Sequence, residues 1–468
     1  MRSFFRSRRP ADEPVPAPAN TRGAISVEAE RIRPAEPAMP GMRREGGPIR
    51  RATAMDENVP RFSMPISNGL RSATTVAPEV SRRLREAFTP TRPKQEVNAL
   101  FIGRLGTIRR IISAIEEERA NVVLYGDRGR GKTSLANAVE QIAVQAGYLT
   151  IKMTCSAELG FEDMFRALMG RIPSSYHKGA AGNPFSGPRG FAAFDERLPK
   201  GPYTVTQLAD VMDEIAGTHV LMVLDEYDRI ASEDTRNKLA ELIKNLTDKG
   251  SPVTLFIIGV AESVDHLLGK HPSIQRALVA VHLPPMSDRE IERIILAGAE
   301  AAGISFSADV RRRIVNLSKG LPYYAQLLSL HSARAAVGRS SNQVERQDLA
   351  EAVKRCTSEA ERALIEAYHR VIGPEGAGPR ADVLYLCAQA PTDDFGSFRE
   401  SDVAQVPLRG AGPAHKPEVI NRTLAELTEG DGAILQRVIV PDGHRIRFRN
   451  QMMRQFVLLM QAERRELL

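Results

Sequence analysis

Short, continuously apolar runs recur through the middle of the chain: Val122-Val123-Leu124-Tyr125, Val220-Leu221-Met222-Val223-Leu224 and Val253-Thr254-Leu255-Phe256-Ile257-Ile258-Gly259. Runs of this kind are short for helices and lack the alternation of half-exposed strands, so they predict strands buried on both faces of a parallel sheet. Between them the apolar period lengthens. Ile108, Ile111, Ile112 and Ile115 precede the first run, and Leu135, Val139, Ile142 and Ala143 follow it, each set a stripe on one helix face. Tyr148 to Met153 and Leu278 to Leu283 read as further strands, Phe161 to Met169 and Asp234 to Lys249 as helices. Strand and helix alternating in this way predict an α/β fold, a doubly wound parallel sheet.

From Ser287 the pattern becomes helical. Ser287 with Glu290 has the form of a capping box ahead of Ile291, Ile294 and Ile295, whose stripe Gly298 and Ala302 continue. Ser307 caps a second helix with Val310, Ile314 and Leu317 inside, Gly320 stops it, and Pro322 opens the next. Helical stretches at 380–390, 399–405 and 417–427 then lead to two strands, 434–440 and 444–449, joined by Pro441-Asp442-Gly443, a hairpin signal. Three helices and a hairpin predict a winged helix, closed by a helix carrying Met452, Met453, Phe456, Val457 and Met460 on one face. The expected organisation is a disordered tail at 1–80, a sheet domain at 81–286, an α-helical lid at 287–372 and a winged-helix domain at 373–468. Leu84, Ala87 and Phe88 begin the ordered part. Pro173 to Tyr203, rich in Gly and Pro, is either a mobile insertion or a functional loop.

Charge sharpens the division. Residues 1–95 hold 18 basic and 10 acidic side chains, leaving 46 basic and 47 acidic for the remainder. The excess of positive charge therefore sits in the Arg- and Pro-rich tail, either a tether or a solvated segment, and does not by itself argue for a nucleic-acid-binding domain. Cys155, Cys356 and Cys387 are far apart, without metal-ligand spacing, and read as core residues of a protein in a reducing compartment. No apolar run approaches the roughly 18 residues needed to span a bilayer. The arginines at the start lack a following apolar stretch, so the expected location is cytoplasmic.

The first apolar run opens into Gly126-Asp127-Arg128-Gly129-Arg130-Gly131-Lys132-Thr133-Ser134, the form G-x-x-x-x-G-K-[ST]. A strand that turns into a helix through such glycines points successive backbone N–H groups at a polyphosphate. Lys132 can reach the β- and γ-phosphates as a point charge. Thr133 can offer its hydroxyl to Mg²⁺, and the helix N-terminus adds its orphan N–H groups. The second run ends in Asp225-Glu226. Beside a nucleotide, Asp225 would hold Mg²⁺ through its waters and Glu226 would orient and deprotonate the attacking water. Arg276 is a candidate arginine finger for a neighbouring copy in a homo-oligomer; a surface arginine at a helix end is the plainer alternative. Arg445, Arg447 and Arg449 alternate with Ile446 and Phe448 in the last strand, so they form either a row of phosphate contacts to duplex DNA or a solvated strand face.

With those residues placed, residues 84–468 resemble the AAA+ ATPases of the origin-recognition and initiator type and the related STAND ATPases. Phe101-Ile102-Gly103-Arg104 is similar to the F-x-G-R motif on the adenine side, and the loop and Asp225-Glu226 match the two Walker motifs. The resemblance implies that Gly103 and Arg104 lie near the base. Gly320-Leu321-Pro322 resembles the G-x-P of STAND proteins, in which the proline contacts nucleotide. Two departures stand out: the polar sensor position after the third strand offers only Glu262 or Ser263, and the lid arginine of many AAA+ members is missing. The resemblance implies ATP binding with Mg²⁺ and ATP hydrolysis. It leaves two functions open, a motor or loader acting on DNA through the winged helix, and a nucleotide-gated signalling switch that binds protein partners.

Overall fold

The computed structural model describes residues 76–90, 103–180, 192–261, 263–269, 274, 276–373, 378–407, 416–430, 432–440 and 443–464. Nearly all of the tail, Phe101, Ile102, Glu262, the middle of the 173–203 stretch and the Pro441-Asp442 turn lie outside them. All the described residues belong to one compact unit.

The sheet is built from β1 (Asn121–Tyr125), β2 (Leu149–Thr154), β3 (Val220–Asp225), β4 (Val253–Gly259) and β5 (Leu278–His282), all parallel, in the order β2-β3-β4-β1-β5. Parallel neighbours require crossovers. These are supplied by α3 (Lys132–Gln145), α4 (Phe161–Met169), α5 (Val205–Asp213), α6 (Glu233–Lys249) and the short α7 (Val264–Leu268), while α2 (Leu105–Glu116) leads into β1. Successive side chains in the strands point to opposite faces, so Val122, Leu124, Leu221, Val223, Phe256 and Ile258 build one core with α2 and α3. Val123, Ile151, Met222, Leu224, Leu255 and Ile257 build the other with α4, α5 and α6. The strand order sets β4 between β1 and β3, which opens a crevice at their carboxyl ends, where ligands bind in open α/β sheets.

Beyond β5 the chain forms α8 (Asp288–Ala302), α9 (Ala308–Ser318), α10 (Pro322–Gly338), α11 (Arg346–Ser358) and α12 (Arg362–Ile372), with a two-residue parallel pair, β6 (Ser305–Phe306) and β7 (Gln343–Val344). The Ser287–Glu290 capping box forms in both directions, Ser307 caps α9, and Pro322 occupies the first turn of α10, where its missing N–H costs nothing. Gly320 (φ +76°) lies so close to the chain leaving the sheet that a Cβ there would sit 2.6 Å from the Met286 carbonyl. The last part holds α13 (Pro379–Gln389), α14 (Glu400–Gln405), α15 (Pro417–Thr428), the antiparallel hairpin β8 (Leu435–Val440) and β9 (Gly443–Phe448), and α16 (Gln451–Arg464). Buried Arg454 of α16 donates to the carbonyls of Ala388 and Ala390 at the end of α13. All three cysteines are buried and free. Among the described residues, no helix is long and apolar enough to cross a membrane.

Two features depart from the expected division of the chain. Residues 287–372 and 373–468 share a single hydrophobic core, in which the Tyr368 and Phe456 rings meet edge to face at 5.6 Å and Gln461 donates to the Tyr368 hydroxyl. The helix α1 (Val76–Ala87), whose second half was grouped with the sheet domain, packs instead on α8 and α10, because its apolar residues Leu84 and Ala87, with Phe88 just beyond, face that core. Phe88 lies edge-on to Phe306, and only a residue as small as Gly298 leaves room for its ring. Phe88→Ala should therefore lower the unfolding free energy by about 3–5 kcal/mol, the cost of an aromatic cavity, read as a reduced urea midpoint.

Candidate functional site: a phosphate cradle under the helical domain

At the end of β1 the backbone turns through Gly126 (φ +144°), where a Cβ would sit 2.8 Å from the Leu283 carbonyl, and Gly131 (φ +88°), which caps α3. A side chain at either position would close the cradle. Lys132, buried, donates to the carbonyls of Gly126 (2.9 Å) and Asp127 (2.8 Å). Burial brings its pKa down from 10.5 to about 8, with Asp228 and Asp225 pulling upward and Arg130 downward. Thr133 Oγ1 donates to Asp225 Oδ1 at 3.3 Å across the crevice, and the Glu226 amide donates to the same oxygen at 3.0 Å. A threonine hydroxyl beside a carboxylate is the all-oxygen donor set that Mg²⁺ takes together with phosphate oxygens, so the residues present fit that ion.

Glu226 adopts the left-handed region (φ 54°, ψ 38°), unusual for a non-glycine residue, and its carboxylate pairs with Arg229 at 2.8 Å. The turn that follows is fixed by buried Tyr227 and by Asp228, whose carboxylate accepts from the Val260 amide at 2.7 Å at the end of β4. Gly103 and Arg104 meet the lid: both lie against Glu290, and the Arg104 guanidinium donates to the Pro284 carbonyl. Burial lowers the Arg104 pKa.

A cleft of about 980 Å³ gathers most of these groups, although Gly103 does not line it. Arg104, Arg128, Gly129, Arg130, Gly131, Lys132, Thr133, Ser134, Asp225, Glu226 and Pro322 all line it, together with residues that sequence reasoning missed, among them Thr89, Arg229, Gln326 and Met452. Gly126 and Asp127 lie just behind it, through the carbonyls that hold Lys132. Arg276 does not line it and is exposed just ahead of β5. The loop's variable residues reach across the cleft. Arg128 pairs with Glu361 at 3.1 Å, and buried Arg130 donates to the carbonyls of Leu283 (2.9 Å) and Asp394 (2.8 Å) while pairing with Asp127. Met452, Tyr323 and Leu321 lie over Gly129. Thr89 and Gln326 are joined by a 2.8 Å bond from the Thr89 amide. Apart from the Arg130–Asp127 pair within the loop, these contacts join distant segments and no local sequence signal marks them.

The hairpin arginines do not form the exposed row expected of a phosphate-binding wing. Arg445 is ion-paired to Asp393 at 2.8 Å, Arg447 is buried opposite Gln436, and Arg449 donates to the Leu435 carbonyl. The period-two alternation implied one solvated face, but β9 is buried on both faces from Ile446 to Phe448, so its arginines are spent on internal partners.

A family model described as Novel STAND NTPase 1 matches residues 91–360, more than half of the chain. The chain belongs to that family. This STAND NTPase matches no curated protein. Among solved structures it is similar to the Aeropyrum pernix ORC1 protein in complex with DNA, at 17% identity over 82% of this chain and 98% of that one, with a TM-score of 0.40. It is also similar to the Thermotoga maritima RuvB Holliday junction branch migration motor (13% identity, 76% and 95% covered, TM-score 0.41) and to a Walker-type ATPase of Pyrococcus abyssi (15%, 79% and 99%, TM-score 0.48).

Burial brings the Lys132 pKa to about 8, and a polyphosphate bound against it would demand the charged form, so its binding would take up a proton above that pH. The affinity for a fluorescent ADP analogue should be level below pH 8 and fall by up to about tenfold per pH unit between 8 and 10. In Lys132→Met the affinity should be weak and this slope absent. In the ligand-free protein the sign is opposite: with the folded pKa below the unfolded one, this group's contribution to stability rises as pH climbs from 8 to 10.5.

Proposed function

We propose that this NTPase is an ATP-operated switch, in which ATP or ADP with Mg²⁺ sits between the sheet domain and the helical part and sets whether the C-terminal part stays docked. The observation that carries the reading is Arg130, a phosphate-loop residue whose buried guanidinium is bonded to the carbonyl of Asp394 in the C-terminal part. Lys132 and the loop amides bind the phosphates, Thr133 and Asp225 hold the metal, and Glu226 is the base, freed from Arg229 in the working complex. Gly103, Arg104 and Pro322 border the base and sugar. Of the expected parts, 81–286, 287–372 and 373–468, the last two share one core and would move as a unit away from the sheet domain on exchange, with α13, α14, α15 and the hairpin as a winged helix used for a protein partner. The duplex-DNA contact expected of the hairpin arginines has less support, because Arg445 is paired with Asp393, Arg447 is buried, and Arg449, although exposed, donates to the Leu435 carbonyl. Arg276 remains the residue through which an oligomer would act on its neighbour.

ATP turnover by the full chain should be slow and unchanged by duplex DNA at any salt; stimulation that declines with salt would restore the motor. Glu226→Gln should keep ATP affinity and lose turnover by about a hundredfold or more, and normal turnover would remove Glu226 as base. Arg130→Met should raise the rate of ADP release by about tenfold and expose 391–399 to protease. Unchanged release with an unchanged digest would sever the proposed coupling.

A further inference from the structure

We propose that Lys152 is a positioning residue, a resident cation that balances Asp225 when Mg²⁺ is absent, so that the site retains nucleotide with or without the metal. The inference rests on the nucleotide reading above and concerns the metal dependence of the same site. Lys152 lies in β2, in register with Val223, two positions before the Thr154–Asp225 pair, and so projects from the sheet face on which Asp225 stands. Its ammonium is 3.2 Å from Asp225 Oδ2 and donates to Asn137 Oδ1 of α3 at 2.6 Å.

The two carboxylate oxygens have different duties. Oδ1 accepts from Thr133 Oγ1 at 3.3 Å and from the Glu226 amide at 3.0 Å, so it faces the donor that a metal would share. Oδ2 faces Lys152. The Asp225 side chain is only 5% exposed, and a carboxylate so buried and lacking a cation would repel incoming phosphates and carry a large desolvation cost. Lys152 removes both penalties before any metal arrives. The same charge opposes Mg²⁺, because two cations would then share one carboxylate inside a crevice where charges interact more strongly than in water.

The test uses nucleotide-stripped full-length protein and a fluorescent ADP analogue, titrated in excess Mg²⁺ and in EDTA, for wild type, Lys152→Met and Lys152→Arg. Wild type and Lys152→Arg should bind with affinities within about fivefold in the two media. Lys152→Met should lose about tenfold in EDTA and little in Mg²⁺, with half-saturation by Mg²⁺ moving to lower concentration. A loss of equal size in both media, the signature of a merely structural lysine, overturns the proposal, as does an unchanged ratio. A wild type that binds in neither medium overturns the nucleotide reading and this inference with it; one that binds only in Mg²⁺ overturns this inference alone.

Discussion

The guanidinium of Arg130 is the contact on which the geometry of the site depends. Burial, with the Arg104 charge nearby, brings its pKa down to about 10 while the Asp394 and Asp393 charges pull upward, and its hydrogen bonds go to the Leu283 and Asp394 carbonyls and the Asp127 carboxylate. A buried charge is tolerated only while its partners stay in place, and removing one is far more costly than never having built the set. The phosphate loop, the end of β5 and the 393–397 turn are therefore held as one unit. The turn is itself fixed, since the Asp393 carboxylate accepts from the Phe395 and Ser397 amides and pairs with Arg445, while Phe395 stacks on His282 at 4.3 Å.

The same constraint explains why the helical and C-terminal parts share one core. If they were separate bodies, the bond from Arg130 to Asp394 would have to restrain a whole domain by itself. Instead α16 packs against α11, α12 and α13, Arg454 bonds the end of α13, and Met452 reaches Gly129. Any shift of the loop around a ligand is felt by a body that is already rigid, and packed bodies of this kind respond by moving between discrete positions.

What was legible in the sequence was local. Val122 to Tyr125, Val253 to Gly259, the Ser287–Glu290 box and Pro322 each carry their structural cause in adjacent residues, and their elements lie where the pattern puts them. Helix α5 carries its own signals, the stripe Val205, Leu208, Ala209 and Met212 and the Thr204–Gln207 capping box, but its nine residues directly follow a Gly- and Pro-rich stretch that masks the period. The pair β6 and β7 is too short to leave a period. In the site, the glycine loop and Asp225-Glu226 were legible as motifs, whereas Lys152, Glu361 and Asp394 were not, because their roles arise from strand register or from contacts across long stretches of chain; Arg229 pairs only three residues away with Glu226, but through a left-handed turn that no pattern marks. The surroundings of the hairpin arginines were not legible for the same reason: alternation describes which residues share a face, and whether that face meets water depends on what packs on it, which buries Arg447 and leaves Arg449 exposed.

Around Lys132 the cradle's own groups compete with any polyanion for the same charge. Lys132 is satisfied by the carbonyls of Gly126 and Asp127, and Arg104, Arg130 and Lys132 are all depressed in pKa by burial. Phosphate would draw the Lys132 ammonium off those two carbonyls and restore its full charge. Asp127 contributes one of the released carbonyls and also carries the carboxylate paired with Arg130. A rotation of the Asp127 peptide to accommodate phosphate would thus act directly on the buried guanidinium, and through it on Asp394. The proposed coupling between ligand and C-terminal part would need no longer path than these three contacts, Lys132 to Asp127, Asp127 to Arg130 and Arg130 to Asp394.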